Sequence, residues 1–593
     1  MRLVQAVLAA IFLSSCATGL AGGHAMQAGQ PARRLTVVGI NDTHGALLAA
    51  KPERWARDFT SDLVGGADWF AGYLAAIRAE AKENSAAVIV LDAGDMFQGT
   101  LISNAFKGKS VVDTYDALGV TAAAVGNHEF DFGIPVLEQR IREAHYPILL
   151  ANAFNKGTRT RPKWAHPTAL VEVDGVKVGI IGLATVETPL VTNPLFVQDL
   201  EFAPGGPIAA QLADELHAQG ATVVLVTAHA GPLSSTPPRP DSQSDQEAQR
   251  IAEACRGRID GIVSGHNHTA VGPPPLTVAG IPIVQAGSRL TRFSVIDLDL
   301  DATGHATAKH VNEGTEPQDG GPQLLAHTKK DGSPATWRGR PVTADATIAE
   351  LVHGYDQQVA QRRETRLGST EVALQKGGPD DLLGNFAADA LRSGAGGGLK
   401  APYAFQNPGG LRIVEIPAGP ISFGQIFDLS PFDNEEVIVT LKASDIRDAL
   451  ESILRAGKGP LKVSGLTYTI DWTRHDPKRK LSSEPAGSIV TEVVDLASGR
   501  PLCRTESCTQ TKCQSTCAGG EYPVAVTDFL ANGGDGMELL KDKPRQVSKV
   551  LARDILIAFL REHDPITAAL LGSVKAGGAQ RIRQQGEGTL EHE

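Results

Sequence analysis

Between Leu35 and about Leu300, short runs of Val, Ile and Ala alternate with longer segments whose apolar residues recur at helical spacing. The short runs are "RLTVVGI", "AAVIVLDA", "AAAVGN", "YPILLAN", "KVGIIGLA", "TVVLVTAH", "DGIVSGH" and "IPIVQAG". Each has strand length and little in-and-out polar alternation, the pattern of strands covered on both faces. "ADWFAGYLAAIRAEAKE" and "GGPIAAQLADELHAQG" read as helices between them. Strand, loop and helix in repetition predict a layered α/β domain with a largely buried sheet.

The pattern breaks at residues 301–342, where "GTEPQDGGPQ" and "KKDGSPATWRGRP" are rich in Gly, Pro and charge and read as linker or surface loop. An amphipathic helix follows, with Ile348, Leu351, Val352, Tyr355 and Val359 on one face. It is placed to bridge two domains. From about residue 366 a second domain is expected, with helices in "DDLLGNFAADALRS" and "SKVLARDILIAFLREH" and strands in "EEVIVTLKA", "GLTYTIDW" and "SIVTEVVD". The last residues are polar and read as a frayed tail.

Length and charge narrow the picture. A chain of 593 residues is too long for one core. A net charge of -11 argues against nucleic-acid or polybasic membrane binding, so an anionic substrate would need cations gathered locally. At the N-terminus, Arg2 precedes an apolar run from Leu3 to Leu13, the length of a signal peptide core and too short for a mature span. Leu13, Ser14, Ser15 and Cys16 then resemble a bacterial lipobox, which implies an acylated Cys16 and export to the periplasm or outer membrane. The alternative is a signal cut further on, after "GGHA". Cys503, Cys508, Cys513 and Cys517 lack the paired knuckles of a zinc site, so two disulfides pinning a loop are expected. Cys255 reads as a buried, unreactive thiol.

Chemistry collects where the N-terminal strands end. "VVGINDTHG" supplies Asp42 and His44, "VIVLDAGD" Asp95, "AAVGNHE" Asn127 and His128, "VVLVTAHAG" His229, and "GIVSGHNH" His266 and His268. Ligands of α/β sheets bind beyond the carboxyl ends of strands, so residues far apart in sequence can meet there. His and Asp are ligands for zinc, manganese or iron, and Asn adds a neutral oxygen. One carboxylate can bridge two cations. Two ions about 3.5–4 Å apart can clamp the attacking and leaving oxygens of an in-line displacement at phosphorus and bring a bound water's pKa to about 7. Gly126 and Gly265 leave room for a sharp turn beside the site. Singly, each segment is weak: His44 or Asp95 could cap an element, and a lone His229 suits a core. Five in order, each after an apolar run, make a metal centre the better reading.

On these motifs the chain resembles the calcineurin-like metallophosphoesterases, and more narrowly the 5'-nucleotidases and UDP-sugar hydrolases, over residues 35–575. The resemblance implies a four-layer α/β/β/α metallophosphoesterase domain followed by an α/β nucleotidase domain. The implied boundaries are a signal peptide over 1–15, a flexible segment over 16–34, the catalytic domain over 35–315, linker and bridging helix over 316–365, the substrate-binding domain over 366–575, and a polar tail over 576–593. It implies two divalent ions, one held by Asp42, His44, Asp95 and His268, the other by Asp95, Asn127, His229 and His266. It makes His128 not a ligand but a group facing the phosphate, with Asp131 orienting its imidazole and favouring the protonated ring. Glu129 and Phe130 are left as supporting and packing residues.

The second domain then supplies specificity. "AFQNPGGLR" contains Asn407, Gly409, Gly410 and Arg412, "SPFDNEE" contains Phe432, and "TDFLANGGDG" contains Phe529 and Asp535. In the resembled nucleotidases the matching stretches hold the nucleoside: two rings sandwich the base, the arginine meets phosphate, and the aspartate meets ribose. Core packing is the plain alternative for each Phe. The chain departs from that pattern in "ALQKGGPDDLLGN", where Lys376 stands and the usual arginines are missing. The expected protein is thus a monomeric, lipid-anchored nucleotide phosphohydrolase. A cyclic-nucleotide phosphodiesterase, a UDP-sugar pyrophosphatase, a thiosulfohydrolase and an exported receptor on an inactive scaffold are its rivals. Asp131 and His128 favour the nucleotidase.

Overall fold

A computed structural model describes residues 34–586, apart from residue 61 and the short stretches 233–245, 302–303, 378–380, 476–480, 482–484 and 510–511. The signal peptide, Cys16 and the end of the polar tail lie outside the described residues. Two sheets form the centre of the N-terminal domain. The first runs, edge to edge, through Ala306–Val311, Arg292–Leu300, Arg34–Ile40, Ala86–Asp92, Ala122–Ala124 and Ile148–Leu149. The second runs through Leu276–Val278, Ile281–Val284, Gly261–Ser264, Val223–Ala228, Val176–Leu183 and Thr168–Val173. The predicted strands are all present, and Ala67–Glu83 is a helix from end to end as read.

The sheets lie face to face because each is apolar on both sides. Val37, Ile89 and Leu91 of the first pack against Val178, Ile180, Leu225 and Val263 of the second. The outer face of the first is covered by Ala67–Glu83 and Lys109–Leu118, and that of the second by Gly205–Ala218 and Glu247–Ala254. This is the four-layer α/β/β/α arrangement. Parallel register pairs Ile40 with Asp92 and Asp92 with Ala123, and in the second sheet Ala228 with Ser264. Five polar segments therefore leave their strands at one common edge.

Two expectations fail in informative ways. Residues 306–342 are no linker. Ala306–Val311 is an edge strand of the first sheet, and Gln323–Leu324 pairs with Arg292–Leu300. Trp337 is fully buried beside Phe293, with its indole N–H donated to Glu80 at 2.6 Å. The Gly and Pro of this stretch make turns between short pieces, each with one apolar anchor, which periodicity does not detect. The tail also re-enters the fold: Ile582–Gln585 pairs in parallel with Leu466–Asp471 as an edge strand, where polar side chains remain solvated.

The C-terminal domain holds two five-stranded sheets. One follows the order Lys462–Ser464, Tyr403–Gln406, Glu521–Thr527, Glu435–Lys442, Arg545–Leu551. The other follows Cys513–Cys517, Pro501–Cys508, Val490–Asp495, Leu466–Asp471, Ile582–Gln585. Cys503–Cys517 and Cys508–Cys513 are disulfides that staple one hairpin, and Cys255 is buried and free. The helix Ala346–Glu364 packs on Ala67–Glu83 and Lys109–Leu118 of the first domain and on Phe423–Leu429 of the second. Its buried Ile348, Val352 and Val359 belong to one apolar cluster that runs from Val38 to Leu571.

Trp337→Ala removes a large side chain from this packed layer and should cost about 3–5 kcal/mol in denaturant unfolding. A linker tryptophan would cost under about 0.5 kcal/mol, the usual scale of a surface substitution.

Candidate active site

The common edge of the two sheets gathers the polar segments to one point. His44 Nε2 lies 3.0 Å from His268 Nε2, and Asp42 Oδ1 lies 3.4 Å from the latter and 3.9 Å from the former. Asp95 Oδ2 lies 3.1 Å from His229 Nε2 and 3.9 Å from His44 Nε2. His229 Nε2 is also 3.0 Å from Asn127 Oδ1 and 3.2 Å from His266 Nδ1. All seven residues expected to be ligands therefore converge. Two tight groups, Asp42–His44–His268 and Asp42–Asp95–His229, share Asp42.

The tautomers decide what this cluster can hold. His44 Nδ1 lies 2.8 Å from the Gln98 carbonyl, and His229 Nδ1 lies 2.8 Å from the Ala93 carbonyl. Each Nδ1 carries the hydrogen it donates, so each ring, once neutral, turns an Nε2 lone pair inward. Burial, and then the nearby Arg412, hold the His44 pKa well below its usual value, which keeps that ring neutral. Around His229 burial works against protonation, but the Asp95 carboxylate outweighs it and raises the pKa to about 10, so a cation binding there must first displace the Nε2 proton shared with Asp95. Burial likewise opposes ionisation of Asp95, and the imidazoles of His229 and His128 hold its pKa well below the carboxylate norm. Acceptor atoms and negative charge thus face one another in a buried site, a donor set that fits divalent cations.

The backbone is shaped to deliver these groups. Asp42, His44, Asp95, His266 and His268 all have left-handed φ, between 49° and 85°. Such conformations cost non-glycine residues about 1–2 kcal/mol each and cluster at functional sites. They let the chain reverse immediately after a strand and aim successive side chains at one spot. Gly126 and Gly265 serve by close approach, not by turning. A Cβ at Gly126 would sit 2.2 Å from Asp95 Oδ1, and one at Gly265 would sit 2.9 Å from Asp42 Oδ2.

Glu129 organises the first of these approaches. Its Oε2 accepts the backbone N–H groups of Asp95 and Gly126 at 2.8 and 2.7 Å, and its Oε1 those of Met96 and Phe97 at 2.7 and 3.1 Å. Asn41 does the same for Asp42, donating to its Oδ2 at 2.7 Å and to the Gly287 carbonyl at 2.6 Å. Sequence reading assigned Glu129 only a supporting role and passed over Asn41. Four donors gathered by one buried carboxylate have no sequence signature beyond the carboxylate itself.

His128 stands beside the cluster. Its Nδ1 meets Asp131 Oδ2 at 2.7 Å, and Asp131 Oδ1 accepts the Thr192 hydroxyl at 2.7 Å. Burial opposes the imidazolium, yet Asp131 and Asp95 together raise the His128 pKa above the usual value. The second domain closes over this end. Phe432 stacks on the His128 ring at a centroid distance of 5.5 Å, and Arg412 Nη2 lies 3.1 Å from His44 Nε2. Phe529, Asn407 and Asp535 share the same cavity of about 530 Å³. Asn407 Nδ2 donates to Asp535 Oδ2 at 2.7 Å. Both Phe432 and Phe529 are partly exposed in it, and Phe529 also packs against the apolar core of the second domain. Phe529 rests over Gly534, where an added Cβ would lie 2.4 Å from the ring. Arg289, Arg292, Lys376, Arg412, Lys458 and Lys462 line the cavity, cations gathered locally on an acidic chain.

Fold and site together define a metal-dependent phosphoesterase. Comparison with known proteins agrees. Residues 35–270 match the calcineurin-like phosphoesterase family, and residues 358–542 match the 5'-nucleotidase C-terminal domain. Snake venom 5'-nucleotidase of Gloydius brevicauda is 28% identical, over 91% of this chain and 88% of its own. The 5'-nucleotidase of Homo sapiens is 26% identical, over 86% and 85%. The crystal structure of the 5'-nucleotidase precursor from Thermus thermophilus superposes with a TM-score of 0.72 at 26% identity, covering 94% of this chain and all of that one. The chain belongs to the 5'-nucleotidase family of calcineurin-like metallophosphoesterases, which use two divalent metal ions.

Glu129→Gln replaces an acceptor with an amide NH2 facing backbone donors. Although Glu129 meets Asp95 only through its backbone N–H, the substitution should weaken metal binding about 10–100-fold, the usual cost of disturbing the support of a metal site. Calorimetric titration of the metal-free variant with Mn²⁺ reads this, and unchanged affinity would remove Glu129 from the account.

Proposed function

We propose that the protein is an exported 5'-nucleotidase that releases phosphate from nucleotides at this site. Asp42, His44, Asp95 and His268 would hold one divalent ion, and Asp95, Asn127, His229 and His266 the other. The ions, when bound, supply an activated water and neutralise charge on the phosphoryl oxygens. The observation that carries the reading is the inward-facing set of acceptors at the floor of a cavity whose opposite wall, from the second domain, bears an arginine and two aromatic rings.

In this reading the chain's own groups do the following. Arg412 holds a phosphoryl oxygen above the His44 side of the cluster. Phe432 and Phe529 take the base between them, and Asp535, steadied by Asn407, takes the ribose hydroxyls. His128 keeps its Nδ1 hydrogen on Asp131, so its Nε2–H is aimed into the cavity. From there it can neutralise the developing charge and give a proton to the departing ribose oxygen. Thr192 fixes Asp131, and Asp131 fixes the ring. Lys376 lines the cavity and donates to the Leu411 carbonyl at 3.1 Å, so it supports the loop before Arg412 where the resembled enzymes would have arginine. The signal-like N-terminus and the two disulfides support export, and the lipobox-like sequence supports an anchor at Cys16. Domain boundaries near 35–342 and 366–585, on either side of the bridging helix, are proposed with it.

Phosphate release should be strongest from AMP when AMP, ATP, UDP-glucose and 2',3'-cAMP are compared with Mn²⁺, Zn²⁺ or Fe²⁺ added. Loss of both rings in Phe432→Ala/Phe529→Ala should cost at least ~2 kcal/mol in kcat/KM for AMP. A small aryl phosphate, which does not fill the clamp, should lose far less. Equal losses on both substrates would return the rings to a structural role.

A further inference from the structure

Behind the ligand turns lies a group that none of these roles uses. Tyr115 stands on the helix Lys109–Leu118, which covers the outer face of the first sheet, and it is fully buried. Its hydroxyl meets the Thr43 hydroxyl at 2.6 Å and Asp92 Oδ2 at 2.7 Å. Thr43 lies between Asp42 and His44. Asp92 ends the neighbouring strand, and its Oδ1 accepts the Gly94 N–H at 2.7 Å, one residue before Asp95. Thr43 and Asp92 are themselves fully buried. A hydroxyl both gives and accepts, so Thr43, Tyr115 and Asp92 form a closed chain whichever way the protons run.

This chain supplies what the backbone between the two turns does not. Asp42 and His44 donate their backbone N–H groups to the Gly94 and Asp95 carbonyls at 3.0 and 2.9 Å. Those bonds hold the main chain on either side of Thr43. Both flanking residues have left-handed φ, 49° and 50°, and Asp95 opposite them has 57°. A side chain disfavours that region, so such a turn persists only where its surroundings hold it. Thr43, midway between two strained residues, is held through its hydroxyl. The Tyr115 ring packs in the apolar layer, with the Tyr146 ring 6.0 Å away, and a phenylalanine would fill that space as well. The hydroxyl is the part that packing does not require.

We propose that Tyr115 is a positioning residue of the ion site, whose hydroxyl locks the Asp42–His44 turn against the Asp92–Asp95 turn and so sets the ligands on the His44 and His268 side. This rests on the reading that the cluster holds two divalent ions. It adds what that reading does not contain: one of the two positions depends on a phenol outside the ligand set, and the position bordered by Asn127, His229 and His266 depends on it far less.

The test is Mn²⁺ titration of the metal-free full-length protein by calorimetry. Anomalous diffraction from crystals grown at limiting Mn²⁺ shows which position empties. Tyr115→Phe keeps the ring and should weaken the ion bordered by His44 and His268 about 10–100-fold, leaving the other within about threefold. Thr43→Val should do the same, and Thr43→Ser, which keeps the hydroxyl, should match the wild type. Both substitutions break one chain, so the double variant should lose no more than the larger single loss. A tyrosine that served packing alone would lower the melting temperature of the metal-free protein and leave both affinities unchanged. That result, equal weakening of both ions, or additive losses in the double variant would overturn the proposal. If Tyr115→Phe does not fold, Thr43→Val against Thr43→Ser decides. Wild-type protein that binds fewer than two ions would overturn the two-ion reading and this proposal with it, whereas two ions bound alike by wild type and variants would overturn this proposal alone.

Discussion

The N-terminal domain turns on one electrostatic constraint: polar atoms of seven side chains are held facing one another, with Asp42, His44, Asp95, Asn127 and His229 buried and His266 and His268 reaching the cavity. The carboxylates of Asp42 and Asp95 make this arrangement unfavourable unless positive charge, from protons on the imidazoles or from bound cations, fills it. The local cost is visible in the backbone. Five of the seven residues sit in left-handed conformations, and two glycines allow approaches that no Cβ would permit. The strain is sustained by the strands behind it, whose aligned parallel register and double burial leave the loops no freedom to relax.

The second domain answers the other half of the problem. The cluster attracts cations, and a phosphoryl substrate is an anion, so cations of the protein must surround the approach. They come from both domains: Arg289 and Arg292 from the first, Arg412, Lys376, Lys458 and Lys462 from the second. Contacts across the boundary are specific. Arg289 donates to the Arg412 carbonyl at 2.8 Å, Asn104 to the Pro431 carbonyl at 3.1 Å, and Asn193 to Asp528 beside Phe529 at 3.0 Å. They place the arginine and the two rings against the cluster of His and Asp side chains, and the shared helix Ala346–Glu364 fixes the frame behind them.

How far the sequence reveals this depends on the kind of interaction. The strands and the helix Ala67–Glu83 were legible because burial on one or two faces leaves a period in the residues. The ligand segments were legible because each chemistry-bearing residue directly follows such a run. The stretch 306–342 was not, because Trp337, Leu324 and Val342 are single apolar anchors among turn residues and carry no period. Ile582–Gln585 was missed for the related reason that an exposed edge strand keeps polar side chains. Within the site, Glu129 was read as a supporting residue but its four N–H partners were not legible, and Asn41 and Thr192, which act only through Asp42 and Asp131, escaped altogether. Tyr115 escaped too, since a hydroxyl that joins two turns from a helix further along the chain leaves no local motif.

The central claim is that the converging acceptors are a two-ion site with Asp95 between the ions. Anomalous diffraction from crystals grown with Mn²⁺ tests it most directly. The account predicts two peaks per chain, one bordered by His44 and His268, the other by Asn127 and His229, with the Asp95 carboxylate touching both. A single peak, or two peaks of which Asp95 meets only one, would contradict it.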